Sequence, residues 1–412
     1  MPKRVAILGS TGSIGCNALD VIENLGSDSH RAVALSAHRQ ADKLVEQVRR
    51  HRPAAVAVTD SPTDPALVSK LRSLGAEVYT GPGGMEQLVA RPDVDVVLAA
   101  VVGAAGLPAV LAAVRAGKTL ALANKESLVV AGSLLIPEAR RRGVPILPVD
   151  SEHSAIFQAM QAGRAGEVRR VILTASGGPF RKSPLEQIEN ATLEDALKHP
   201  TWRMGNKVTI DSATMFNKGL ELIEACWLFD LPPEKIEVVI HPESVVHSMV
   251  EFVDGSVIAQ LSPPDMRTPI QYALTYPDRA PGLAKRLDLT QRFALNFEPP
   301  DPDRFPALRL AYDVARRGGT AGAVLNAANE AAVEAFCAGT IPFGEISRLV
   351  GFTIEKHRVV ERPSLDELLA SDRWARETVQ CLLADRTKSR APGAPLPAGS
   401  SGQQPSTSVA RN

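Results

Sequence analysis

Asp150-Ser151-Glu152 places two carboxylates two residues apart at the end of the apolar run 144–149. Such a run reads as a buried parallel strand, and on an extended segment residues i and i+2 point the same way. Open α/β sheets bind ligands outside the carboxyl ends of their strands, and two anionic oxygens converging there suit a hard cation such as Mg²⁺ or Mn²⁺. A solvated or salt-bridged acidic pair is the alternative. The second constellation is Asp211-Ser212-Ala213-Thr214-Met215-Phe216-Asn217-Lys218-Gly219-Leu220-Glu221. Phe216, Leu220, Ile223 and Trp227 form an apolar helical stripe, with Asn217 and Glu221 as i,i+4 neighbours on another face and Lys218 adjacent. Ser212, placed near the helix start, joins Asn217 and Lys218 in a donor cluster of phosphate size. Glu221 offers a third carboxylate. The plainer alternative is a solvated Asn-Lys-Glu face.

A nucleotide signature stands at the other end of the chain. Gly9-x-x-Gly12-x-x-Gly15 lies between the apolar run 5–8 and a helical pattern that Gly26 stops. Glycines let backbone approach a pyrophosphate, and the helix start supplies amides and positive dipole. A tight turn is the alternative reading. The second strand, 32–37, ends in His38-Arg39-Gln40, with no acidic residue before Asp42. An NAD site wants a carboxylate there for the ribose 2′-OH, so the cation points to the 2′-phosphate of NADP(H); Arg39 as the solvated start of the next helix is the alternative.

Smaller motifs surround these. Ala123-Asn124-Lys125-Glu126-Ser127 ends a strand; Lys125 could neutralise an oxyanion, and Asn124 and Glu126 could orient a nicotinamide ribose. Ser176-Gly177-Gly178-Pro179-Phe180 gives an exposed hydroxyl on flexible backbone, a phosphate contact or else a linker. His199-Pro200-Thr201-Trp202-Arg203-Met204-Gly205 carries large apolar groups beside a glycine hinge, as a water-excluding lid does; a loop tucked onto the core is the alternative. His241-Pro242-Glu243-Ser244 and His247 set two histidines around another strand end, for the site or for structure.

The elements that must hold these residues follow from periodicity. Strand patterns at 54–58, 77–79, 94–100 and 119–123 alternate with helical patterns, which predicts a doubly wound, Rossmann-like parallel sheet over 1–150. Strands at 168–174, 237–241 and 256–261 mixed with helices predict an α+β central catalytic domain over 151–277. A proline-rich stretch makes 278–303 a linker. Helical patterns at 306–317, 321–338, 343–357 and 364–385 predict a C-terminal α-helical bundle over 304–387, the last opened by the capping box Ser364-x-x-Glu367. The Ala, Pro, Gly, Ser and Gln composition of 388–412 reads as a disordered tail.

Composition narrows the classes further. The 412 residues suit two or three domains, and 46 Lys+Arg against 46 Asp+Glu leave no net charge to attract nucleic acid or an anionic membrane. Cys16, Cys226, Cys337 and Cys381 form no CxxC pair, so neither a zinc site nor a disulfide framework is expected. No signal or transit segment precedes the first strand and no apolar run spans a bilayer, so a cytoplasmic protein is expected; a mature plastid form would read the same.

Taken in order, these motifs resemble the 1-deoxy-D-xylulose 5-phosphate reductoisomerase family. The likeness runs from the glycine turn 9–15 through Asn124-Lys125-Glu126-Ser127, Val149-Asp150-Ser151-Glu152-His153, Ser176-Gly177-Gly178-Pro179-Phe180, His199-Pro200-x-Trp202-x-Met204-Gly205, Asp211-Ser212-Ala213-Thr214-Met215 and Asn217-Lys218-Gly219-Leu220-Glu221 to His241-Pro242-x-Ser244-Val245-Val246-His247. It implies an enzyme that rearranges a ketose phosphate by retro-aldol cleavage and re-addition. The resulting aldehyde is then reduced with NADPH to 2-C-methyl-D-erythritol 4-phosphate, an isoprenoid precursor. The resemblance implies a divalent cation (Mg²⁺ or Mn²⁺, with Co²⁺ as another candidate) on Asp150, Glu152 and Glu221. It implies substrate contacts from Lys125, Ser151, Glu152, Ser176, His199, Ser212, Asn217 and Lys218, with Glu221 bordering them. Catalytic roles fall to Lys125, Glu152, His153, His199, Trp202 and His247. Thr11, Gly12, Ser13, Ile14, Asn124, Glu126 and Gly205 would hold NADPH, with His38, Arg39 and Gln40 at its 2′-phosphate, and a homodimer is implied. A plain NADP-dependent dehydrogenase would not need three carboxylates and a phosphate cluster. A nucleotide-sensing regulator would not turn over substrate at all.

Overall fold

The computed structural model describes residues 1–202, 204–290 and 292–389, with side chains to Asp385. Arg203 of the expected lid lies outside them, and of the expected tail only 388–389 are included, as the end of the last helix. Seven short strands form the first sheet: β1 Lys3–Leu8, β2 His30–Ala37, β3 Ala55–Val58, β4 Glu77–Thr80, β5 Val96–Ala99, β6 Thr119–Leu122 and β7 Ile146–Pro148. All pair in parallel in the order β4-β3-β2-β1-β5-β6-β7. The strands are nearly continuous Val, Ala, Leu and Ile because helices cover both faces. The order reverses between β1 and β5, so the crevice for a ligand opens between the turn after β1 and the loop after β5.

Four strands form a second, mixed sheet: β8 Val168–Ala175, β9 Ile236–Ile240, β10 Val246–Phe252 and β11 Val257–Leu261, ordered β11-β10-β8-β9. Periodicity does not reveal β10. His247, Ser248 and Glu251 are buried beside Val246, Val250 and Phe252, so the strand shows neither an apolar run nor a clean alternation. The described residues between 276 and 306 form no helix or strand, but Glu298 bridges to Ile240 and lays the connector along β9.

The last four helices among the described residues are Ala307–Arg317, Ala321–Cys337, Glu345–Lys356 and Leu365–Ser389, and Ser364 and Glu367 exchange the hydrogen bonds of a capping box. Their apolar faces join the mixed sheet in one core with the helix Phe216–Phe229. The helix Lys125–Arg142 packs on the same helix and breaks helical geometry at Ala131. Next to that break, a Cβ on Gly132 would lie 2.4 Å from the Trp227 ring, so only glycine permits this crossing. Among the described residues no helix is long and apolar enough to cross a membrane.

Candidate active site

β7 ends at Pro148, so Asp150 and Glu152 are not the extended pair that the sequence predicts. Asp150 is the N-cap of the helix Ser151–Ala159, its side chain accepting from the Ser151 amide at 2.9 Å. Glu152 sits in the first turn, where the helix dipole favours a carboxylate. Capping, rather than strand alternation, aims both groups at the cavity. Ser212, expected near a helix start, lies instead near the end of the helix Asn206–Thr214. Met215 adopts left-handed backbone (φ 66) and turns the chain into the helix Phe216–Phe229. That helix buries Phe216, Leu220 and Ile223 while Asn217, Lys218 and Glu221 border the cavity.

The carboxylates of Asp150, Glu152 and Glu221 come together: one oxygen of each lies within 4.8 Å of the others. Two ammonium groups thread between them. Lys125 Nζ stands 2.6 Å from Asp150 and 2.9 Å from Glu221, and also donates to Asn217 Oδ1 at 2.9 Å. Lys218 Nζ donates to Glu152 at 2.7 Å and to Glu221. Ser151 Oγ and Asn217 Nδ2 complete the network on Glu152 and Glu221, each at 2.5 Å. Burial alone would raise the Asp150 carboxyl, but the Lys125 charge holds it well below the ordinary range. Burial and the Glu152 charge push Glu221 up. The lysines stay protonated against their burial because carboxylates surround them. Three carboxylates against two ammoniums, with oxygen donors only, is a set that Mg²⁺ or Mn²⁺ fits.

Behind this set lies a residue that sequence reading missed. Glu224 is buried, and its Oε2, like His153 Nδ1, has no hydrogen-bond partner; the two atoms are 3.5 Å apart. Burial and then the Asp150 charge push the Glu224 carboxyl well above its ordinary range. His153 is fully buried, hydrogen-bonds the Glu221 carbonyl at 2.9 Å and is kept neutral by desolvation. It therefore supports the Glu221 turn from behind. The Glu221-x-x-Glu224 spacing was the available signal.

The cavity in front of the carboxylates encloses about 510 Å³ and takes in Ser176, His199, Trp202, Ser212 and His247. His199 Nδ1 accepts from the Thr201 and Trp202 amides, at 3.1 and 2.9 Å, so its proton sits on Nε2 and faces Ser176 Oγ at 3.0 Å. One imidazole thus holds the backbone of Thr201 and Trp202 and the candidate phosphate serine. Burial lowers His199, and it pushes His247 down to about 4. The Trp202 ring leans over His247, 6.3 Å between centroids. His241 is taken up structurally, accepting from the Val245 and Val246 amides and stacking on Phe297.

The glycine turn opens on the same cavity through Gly12, Ser13 and Ile14. Gly12 caps the helix Ser13–Leu25 with no side-chain bond, which leaves first-turn amides free for an anion. A Cβ on Gly15 would fall 2.4 Å from the Gly9 carbonyl, so only glycine lets helix and turn approach. Thr11 is buried, its carbonyl taken by Lys43. Glu126 and Gly205 border the cavity, whereas Asn124 is buried and spends its amide on the Val101 and Gly103 carbonyls and on Glu126. Asn124 therefore fixes the loop after β5 rather than facing the cavity itself. His38, Arg39 and Gln40 are exposed at the end of β2, outside the cavity lining.

The family model described as 1-deoxy-D-xylulose 5-phosphate reductoisomerase matches residues 5–132, and two C-terminal domain models of the same enzyme match 146–229 and 261–378. The reductoisomerase of Symbiobacterium thermophilum is 52% identical over 384 residues, 92% of this chain and 98% of its own. That of Chlorobium chlorochromatii is 51% identical over 381 residues, 92% of this chain and all of its own. Among solved structures, the Zymomonas mobilis enzyme in complex with NADPH superposes with a TM-score of 0.87 at 44% identity, covering 93% of this chain and 99% of that one. A reductoisomerase in complex with NADPH, fosmidomycin and magnesium superposes at 0.86 with 41% identity, covering 94% and 99%. The chain belongs to the 1-deoxy-D-xylulose 5-phosphate reductoisomerase family.

Proposed function

We propose that this protein converts 1-deoxy-D-xylulose 5-phosphate into 2-C-methyl-D-erythritol 4-phosphate, by a skeletal rearrangement followed by reduction, for isoprenoid precursor synthesis. The observation that carries the reading is the meeting of Asp150, Glu152 and Glu221 in the cavity on which the glycine turn also opens. Those carboxylates would hold a divalent cation, and Gly12, Ser13, Ile14, Glu126 and Gly205 would hold NADPH, with Thr11 and Asn124 shaping the turn and loop. The cation supplies Lewis acidity to the substrate carbonyl, and NADPH supplies the hydride.

The remaining chemistry belongs to the chain. In the rearrangement one carbon–carbon bond breaks and another forms, with a proton leaving one substrate hydroxyl and returning to an oxygen. Glu152, hydrogen-bonded to Ser151 and Lys218, is the carboxylate near that proton. Lys218 has three donors and spends two on Glu152 and Glu221, so one remains for the substrate, with Ser176, Ser212 and Asn217 completing a phosphate site. Lys125 stabilises oxyanion charge, and Ser151 and His199 contact the substrate. The lid 199–205 closes with Trp202 above the carbon skeleton and keeps water out. His153 and His247 shape the wall, and His38, Arg39 and Gln40 take the 2′-phosphate.

Boundaries at 150, 277 and 303 would divide a cofactor domain, a catalytic domain, a linker and the helical bundle. The open β11 edge suits pairing with a second copy, and four free cysteines suit a reducing cytoplasm. The decisive experiment incubates purified protein with carbon-labelled 1-deoxyxylulose 5-phosphate, NADPH and Mn²⁺ and reads the product by NMR. The branched tetrol phosphate is expected. Reduction with an unbranched skeleton would make the protein a plain dehydrogenase, and binding without turnover a sensor.

A further inference from the structure

We propose that Lys207 anchors the pyrophosphate of the dinucleotide, and that Asn329 of the C-terminal helices positions it; this rests on the NADPH reading above. Lys207 follows the lid directly, in the first turn of the helix Asn206–Thr214, and borders the cavity together with Gly12, Ser13 and Glu126. Its ammonium pairs with Asp211, one turn on. Asp211 is only 2% exposed, and its other oxygen accepts from Asn329 Nδ2 at 2.9 Å. Asn329 itself is fully buried on the helix Ala321–Cys337. Bundle, lid helix and cavity are thereby joined through three side chains.

The order of the pair is wrong for helix stability. A lysine in the first turn adds to the positive end of the helix dipole, and an acid four residues later lies toward the negative end. An anion at the helix start would offset the first of these penalties. Gly205 caps this helix without a side-chain bond, so its first amides are free as well. Of the other two cavity lysines, Lys125 spends its three donors on Asp150, Glu221 and Asn217 and Lys218 spends two on Glu152 and Glu221, whereas Asp211 takes one of the three donors of Lys207. Burial raises the Glu126 carboxyl, and among the charges around it Lys207 opposes that rise most; Glu126 is the group expected at the nicotinamide ribose, next to the pyrophosphate. The substrate phosphate, by contrast, has its donors at Ser176, Ser212, Asn217 and Lys218.

The test measures dissociation constants of NADPH and of NADH by nucleotide fluorescence on the full chain, without substrate. Lys207→Met is expected to weaken both by the same factor, about tenfold to a hundredfold, because the two nucleotides share the pyrophosphate. Lys207→Arg is expected to restore binding to within a few-fold, and Asn329→Leu to weaken both nucleotides by a smaller common factor. Arg39→Ala is the contrast, weakening NADPH alone. Mn²⁺ affinity, read by electron paramagnetic resonance, stays unchanged in Lys207→Met. Unchanged nucleotide affinity in that variant, a loss confined to NADPH, a loss of Mn²⁺ binding, or weakened binding of 1-deoxyxylulose 5-phosphate instead would each overturn the proposal. Failure of the unaltered protein to bind NADPH would overturn the functional reading itself.

Discussion

At the scale of single residues, the carboxylate trio is held together by its own counter-ions. Glu221 is 1% exposed and accepts from Lys125, Asn217 and Lys218, so it is the residue on which the network converges. Glu221→Gln removes a charge that two buried ammoniums need, and lowers the donor count for a divalent cation from three carboxylates to two. Mn²⁺ affinity is expected to fall by about two powers of ten or more, as the loss of a buried charged partner costs about 3–5 kcal/mol. Rearrangement is lost with it, while NADPH affinity stays within about twofold, since the glycine turn is untouched. Equal loss of metal and nucleotide binding in titrations would remove Glu221 from the metal. His247 gives a pH signature. Burial carries its pKa from an ordinary 6.5 to about 4, so the folded protein holds the neutral ring while the unfolded chain takes up a proton first. The stability this contributes is complete above about pH 6.5, declines as the pH falls, and is gone below about 4, on the order of 3 kcal/mol in all. Urea unfolding at pH 7 and pH 5 is expected to differ less in His247→Gln than in the parent. An identical difference would mean that the ring titrates as it does in the unfolded chain.

Elements differ in how openly they advertise themselves. The parallel strands were legible because a strand covered on both faces is a short apolar run, and the helix Phe216–Phe229 because its buried side repeats with helical spacing. Asp150 and Glu152 were found for a reason that needed changing. An acid after an apolar run reads equally as a strand end or as an N-cap, and the contacts of the folded chain decide. Met215 carries no mark of a helix break, since methionine seldom adopts left-handed backbone; its burial in the core holds it there. The role expected of Asn124 shifted because its amide is consumed by the loop after β5. The glycine turn, in contrast, is local and could be read outright, and Gly15 tests it. Gly15→Ala sets a methyl 2.4 Å from the Gly9 carbonyl and 2.5 Å from the Ser10 Cα, backbone that cannot move aside cheaply. The variant is expected to lose about 1–3 kcal/mol of stability by overpacking and most of its nucleotide affinity. Calorimetry should nevertheless show intact Mn²⁺ binding, because no carboxylate of the trio touches this turn. Normal NADPH binding would show that the helix can retreat.

The whole molecule treats the two edges of its mixed sheet differently. At β9 the connector lies along the strand: Glu298 bridges to Ile240, Asn296 donates to Glu243 at 2.6 Å, and Phe297 stacks on His241. That edge is covered, and the strap also steadies the turn from which His247 begins. Among the described residues no further strand pairs with β11, and Val257, Ile258 and Leu261 are 48%, 38% and 38% exposed, with Val253 beside them at 68%. An apolar open edge invites unwanted pairing unless a specific partner covers it, and a second copy of the chain is the partner proposed. Ile258→Asp places a charge in that contact, and burying an unpaired carboxylate costs more than a modest interface returns. Sedimentation equilibrium at micromolar concentration is expected to report a monomer for the variant and a dimer for the parent. Asp150, Glu152 and Glu221 all come from one chain, so the monomer should bind Mn²⁺ with the parent's affinity. A variant that remains dimeric would place the contact elsewhere on the surface. One that becomes monomeric and loses the metal would mean that pairing through β11 also holds the carboxylate trio in place, by way of the helix Ser151–Ala159 that packs on this strand.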